Sequence, residues 1–183
     1  MAKKPKRPKE ILGMTKIWRE TGFIDGDSWV IETEEVKADD SQKPLLDLDA
    51  LIERADESNE VGLGVLIRPA DDVLRLEPYL YRLEIVAVAF PAYNDGRAFS
   101  HAALLRSRLG YKNELRAVGD VLIDQIPLML RCGIDSFAVS NPTALARLEQ
   151  NRLPGVDLHM QPATVAEADP HSYSWRRSSK PAA

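Results

Sequence analysis

Short apolar runs that stop at a proline step and give way to a helical stretch recur along this chain, and that pattern narrows the fold more than any other feature. The runs cover residues 61–67, 85–90, 115–119, 137–139 and 156–160. Four of them end at Arg68-Pro69, Phe90-Pro91, Asn141-Pro142 and Gln161-Pro162. Proline gives no N–H to a β ladder and biases its predecessor away from helix, so each step reads as a strand terminator. The intervening residues 72–81, 97–109, 121–131 and 143–150 have helical spacing. Strands that are apolar on both faces and alternate with helices predict a parallel sheet covered by helices.

The expected class is therefore α/β, with about five βα units. Five parallel strands are too few for an eight-stranded barrel, which takes about 250 residues; the chain has 183. A partial barrel or an open doubly wound sheet remains, and both place function at the carboxyl ends of the strands. Short N-terminal strands are expected at residues 15–18 and 28–31, joined by a turn-rich 22–27. The acidic stretch 32–43 reads as a loop, and residues 45–56 read as an amphipathic helix. One domain is expected over residues 13–165, with a basic tail at 1–12 and a second tail at 166–183.

Charge excludes some partners. Residues 1–10 carry five basic side chains and one acid, and residues 171–183 carry three basic and none acidic. Of the chain's 24 basic and 28 acidic residues, 16 and 27 are left between them, a body charge of −11. A phosphate-binding groove needs a basic face, so nucleic acid is not an expected partner. The longest uninterrupted apolar run, residues 85–90, is far short of the roughly 20 residues of a membrane span. One cysteine, Cys132, cannot form an intramolecular disulfide. The expectation is a cytoplasmic protein without a membrane.

The densest chemistry lies in residues 95–135. Asn94 or Asp95 is placed to cap a helix starting near Arg97. Arg97 and Ser100 then fall in its first turn, where free amides favour an anion. Along the strand at 115–119, Arg116, Val118 and Asp120 share one side, opposite Leu115, Ala117 and Gly119. Arg116 and Asp120 would lie about 13 Å apart, and a charge inside a covered strand needs a partner or a ligand. Arg97, Ser100 and Arg116 are thus candidate anion-binding residues, against the plain alternatives of a capped surface helix and an interior salt bridge. Asp120 and Asp124, at the strand's carboxyl end, are the candidate catalytic acid/base residues. Cys132 sits at a helix carboxyl end, where the dipole disfavours a thiolate. His101, His159 and His171 have no metal-ligand spacing, and no glycine fingerprint for a nucleotide is present. No metal or cofactor is expected.

Residues 95–100, Ala103-Leu104-Leu105-Arg106, Gly110-Tyr111, residues 114–120, Asp124-Gln125 and Arg131-Cys132-Gly133 together resemble a bacterial family of unknown function. Its members are encoded beside assimilatory sulfite reductase and labelled oxidoreductases of sulfite reduction. The resemblance implies a role in sulfur assimilation, with sulfite reductase or its electron donor as a partner and a small sulfur oxyanion as a ligand. It brings no catalytic residues with it. Three readings follow: an accessory protein of sulfite reduction, a small enzyme acting on a phosphorylated or sulfated substrate, and a non-catalytic adaptor for a redox partner.

Overall fold

The computed structural model describes residues 15–32 and 38–155; the expected tails and the run at 156–160 lie outside them. Eight strands form one sheet: β1 Lys16–Arg19, β2 Gly22–Ile24, β3 Trp29–Ile31, β4 Lys43–Asp47, β5 Leu63–Ile67, β6 Leu83–Phe90, β7 Glu114–Gly119 and β8 Ser136–Val139. Their order is β2-β1-β8-β7-β6-β5-β4-β3. From β3 to β8 every neighbour is parallel, while β1 runs antiparallel to both β8 and β2.

Five strands lead directly into a helical segment. These are α1 Leu48–Glu57, a 3-10 segment Val73–Arg82, α2 Arg97–Ala103 running on as a π turn Leu104–Arg108, α3 Ile126–Arg131 and α4 Pro142–Glu149. The proline steps behave as terminators for a local reason visible at Asn141. Its Oδ1 accepts from the N–H groups of Thr143 and Ala144, at 2.9 and 3.1 Å, while Pro142 occupies a helix position that needs no donor. At the other end of a helix, Arg82 is buried and donates to the carbonyls of Ala55 and Ser58. A cation thereby satisfies the last carbonyls of α1 at the negative end of its dipole.

Side-chain parity divides the sheet into two faces. Leu115, Ala117, Val86, Val88, Phe137 and Val65 join the main core, with Leu51, Leu76, Leu105, Met129 and Leu148 from the helical segments. The opposite face carries Leu45, Leu66, Ile85, Ala87 and Val118, flanked by Trp29, Ile31, Ala89 and Ala138. Every member of that second cluster belongs to a strand. Among the described residues helices therefore cover one face alone, so the sheet is not doubly wound. It is the partial barrel, curled with the helices outside.

What curls it is the connection between its two edges. Strands β2 and β3 lie at opposite ends of the sheet, yet only residues 25–28 separate them. Seven strand spacings laid flat would span about 33 Å, whereas five Cα steps reach at most about 18 Å. The sheet must roll into a half-barrel, and residues 25–28 form a strap across its open side. Gly26, at φ +81°, supplies a left-handed turn within the strap.

Several local expectations change. Residues 22–24, expected as turn, form β2. Leu45 and Leu46 belong to strand β4, and the helix begins at Leu48. Residues 121–125 lie before α3, with a turn at 123–125, rather than forming its first part. Leu45 and Leu46 fit both periods, and pairing of β4 between β3 and β5 decides for strand; residues 22–24 are drawn into the sheet by antiparallel pairing with β1.

Candidate functional site

The rolled sheet and its strap border a cavity of about 540 Å³ on the inner face, partly open to solvent. Its apolar wall includes Trp29, Ile31, Leu45, Val118 and Ala138. Ala138 leaves room in the wall, Ala87 and Ala89 pack on the same face, and Gly64 seats the Trp29 ring, which any Cβ there would overlap. Cavities of roughly 300–1,000 Å³ take small organic ligands.

One charged group reaches this wall from mid-strand. Arg116, in the centre of β7, has a side chain only 4% exposed. Its Nη1 and Nη2 donate in parallel to the two carboxylate oxygens of Asp27, at 2.7 and 2.8 Å. Nε and Nη2 donate to Glu114 Oε1 at 2.9 and 2.7 Å, and Nε reaches Ser136 Oγ at 3.3 Å. Ser136 Oγ in turn donates to the same Glu114 oxygen at 2.6 Å, and Arg19 pairs with the other. Two cations and two carboxylates leave no net charge. Burial pushes the Glu114 carboxyl up, but the Ser136 hydroxyl and the Arg116 guanidinium outweigh it and hold the group below its ordinary value.

The asymmetry of this network matters. Glu114 sits two residues from Arg116 on a central strand, a fixed partner. Asp27 comes from the strap, 89 residues away in sequence, with its backbone in solvent and its side chain turned inward, 22% exposed. The fork of Arg116 nearest the cavity is thus satisfied by a carboxylate on a surface loop.

The other candidate residues lie elsewhere. Arg97 is 60% exposed and clamped by Asp95, with Nε to Oδ1 at 3.0 Å and Nη2 to Oδ2 at 2.8 Å. Ser100 is exposed one turn further on. Neither lines the cavity that Arg116 lines, so the three candidate anion ligands are not brought together. Asp120 and Asp124 are both exposed and also outside the cavity lining. The reason is Gly119, at φ +97°, where a Cβ would strike the Phe90 carbonyl oxygen. The chain leaves the strand there, the Asp120 N–H turns back to that carbonyl at 2.7 Å, and the alternation that would align Asp120 with Arg116 and Val118 stops. Among the described residues no group of histidine, cysteine and acidic side chains is arranged to hold a metal.

Residues 64–170, more than half the chain, match a family described as bacterial protein of unknown function (DUF934). The chain belongs to this family. The match takes in Arg116, Glu114 and Ser136 but begins after the strap, so Asp27 and Trp29 lie outside the family region. No curated protein and no solved structure matches the chain. Within the family region, one residue that carries the sequence resemblance proves architectural. Arg106, projecting from the π turn, donates to the carbonyls of Gly133, Tyr111 and Asn113 at 2.7 to 2.8 Å and pairs with Asp135 at 2.7 Å. It ties together the entries to β7 and β8.

Asp27 and Trp29 were missed by sequence reasoning as site residues. The available signal was indirect: a charge at mid-strand in Arg116 demands a partner, and the turn-rich 22–27 holds two aspartates.

Proposed function

We propose that this chain is an accessory binding protein of assimilatory sulfite reduction, holding a small molecule inside its half-barrel rather than at its exposed helix ends. The observation that carries the binding reading is the strap-covered cavity with a buried arginine in its wall. The pathway rests on the resemblance of residues 95–135 to proteins encoded beside sulfite reductase. Asp120 and Asp124, exposed and away from the cavity, give the small-enzyme reading no enclosed site at which to exclude water. Sulfite reductase or its electron donor is the partner this reading expects.

Growth tests it. Deleting the gene should slow growth on sulfate or sulfite, and sulfide or cysteine should restore it. Complementation with Ala138→Phe, which fills the cavity from β8, should fail where the wild-type gene succeeds. Equal growth on every sulfur source removes the pathway; full complementation by a stably folded Ala138→Phe removes the cavity from the function.

A further inference from the structure

We infer that Asp27 is a built-in stand-in for the acidic group of the ligand, and that the half-barrel binds an apolar, ring-sized molecule carrying one anionic head, which displaces the strap from Arg116. The inference rests on the cavity reading above and names the class of ligand.

Three observations converge on it. The cavity wall is largely apolar, built by Trp29, Ile31, Leu45, Val118 and Ala138, and its 540 Å³ is far more than a bare oxyanion of four or five heavy atoms would fill. A sulfite or sulfate ion alone would leave that apolar wall facing water, so the complementary ligand has an apolar body. Its polar end is specified by Arg116, whose two parallel N–H groups present the fork that matches a carboxylate or sulfonate.

The third observation is where the present occupant of the fork comes from. A buried arginine left without a partner is strongly unfavourable. Glu114 and Ser136 satisfy one side permanently, from β7 itself and from β8. The cavity side is closed by Asp27 from a four-residue strap with exposed backbone and a glycine beside it. That carboxylate keeps Arg116 paired while the site is empty. A ligand anion entering the cavity exchanges with it, and Asp27 swings into water, where its charge is well solvated. The exchange conserves the number of charge-assisted bonds on Arg116. What favours it is burial of the ligand's apolar body against Trp29 and its neighbours. The tethered carboxylate competes at an effective concentration of about millimolar or more, so it sets an affinity threshold that a simple inorganic anion does not pass.

Calorimetry on the full chain with three probes tests this. Naphthalene-1-sulfonate has the ring and the anion, naphthalene-1-sulfonamide the ring alone, and inorganic sulfate the anion alone. The sulfonate should bind, with the sulfonamide and sulfate each weaker by about tenfold or more, the loss expected when a charge-assisted bidentate pair or the apolar contact is removed. Asp27→Asn removes the competitor and should tighten the sulfonate by about tenfold, while Ala138→Phe should abolish it. Equal affinity for sulfonate and sulfonamide overturns the inference, as does an Asp27→Asn protein, folded by thermal unfolding, that binds the sulfonate no better than wild type. Should Asp27→Asn fail to fold, the wild-type comparison of the three probes decides. These outcomes do not involve growth on sulfur sources, so failure here and failure of the pathway reading are separable.

Discussion

Asp27 and Arg116 meet through two parallel hydrogen bonds of 2.7 and 2.8 Å although 89 residues separate them. The contact joins the strap to the centre of β7, and its stability consequences are asymmetric. Arg116→Met takes the guanidinium from Asp27 and leaves Glu114 with only Arg19 and the Ser136 hydroxyl, and should cost about 3–5 kcal/mol in urea unfolding. Asp27→Asn keeps a shape of the same size and one acceptor, and Arg116 retains Glu114 as its counter-charge, so the cost should be about 1–2 kcal/mol. Equal losses would mean that the strap, not the strand, anchors the network.

Acid should act through Glu114. Its folded carboxyl titrates below the ordinary value, so the unfolded chain takes up the proton first as pH falls. The stabilisation is complete above the unfolded value near 4.5 and is lost as pH drops through the lower folded value. Wild type and Glu114→Gln should therefore differ by a constant amount between pH 5.5 and 8 and converge below about pH 4. A gap that grows on acidification would reverse the sign.

Arg106 tests the architectural reading of the family-like residues. Replacing it with alanine strips donors from three carbonyls and a partner from Asp135, for an expected loss of about 3 kcal/mol. Arg106→Lys should recover less than half of that, because one ammonium cannot reproduce the fork. Binding of the cavity probe at a temperature where each variant is folded should be unchanged.

Cys132 should be dispensable. It caps α3, half-buried, and burial pushes its thiol up against a smaller opposing effect of Arg131. Native alkylation should run slower than for a free thiol at the same pH, and Cys132→Ala should complement the deletion. Fast labelling with loss of complementation would restore a thiol mechanism.

How far the chain could be read in advance depended on whether a feature was local. The split of β7 into Leu115 and Ala117 on one side and Arg116 and Val118 on the other followed from period two alone, and the proline steps marked the ends of β5, β6 and β8. Leu45 misled because it fits the i, i+3 series of the following helix equally well, and only pairing between β3 and β5 assigns it to a strand. Arg97 fits both an anion site and a capped helix whose arginine pairs with Asp95, and the structure shows the pairing. The partner of Arg116 could not be found by spacing, since the sheet's roll brings Asp27 to it, and the roll depends on strand order, which no short window contains.

Strand order also carries a consequence for how this fold can fail. An open sheet has two unpaired borders, usually made by segments remote in the chain, and each is a template for pairing with another molecule. Among the described residues the borders are β2 and β3, three residues each and consecutive in sequence. Any movement that lifts the strap loosens both at once. The door of the cavity and the molecule's exposure to strand exchange or aggregation are thus governed by the same few residues, and a ligand that opens the one must be large enough to keep guarding the other.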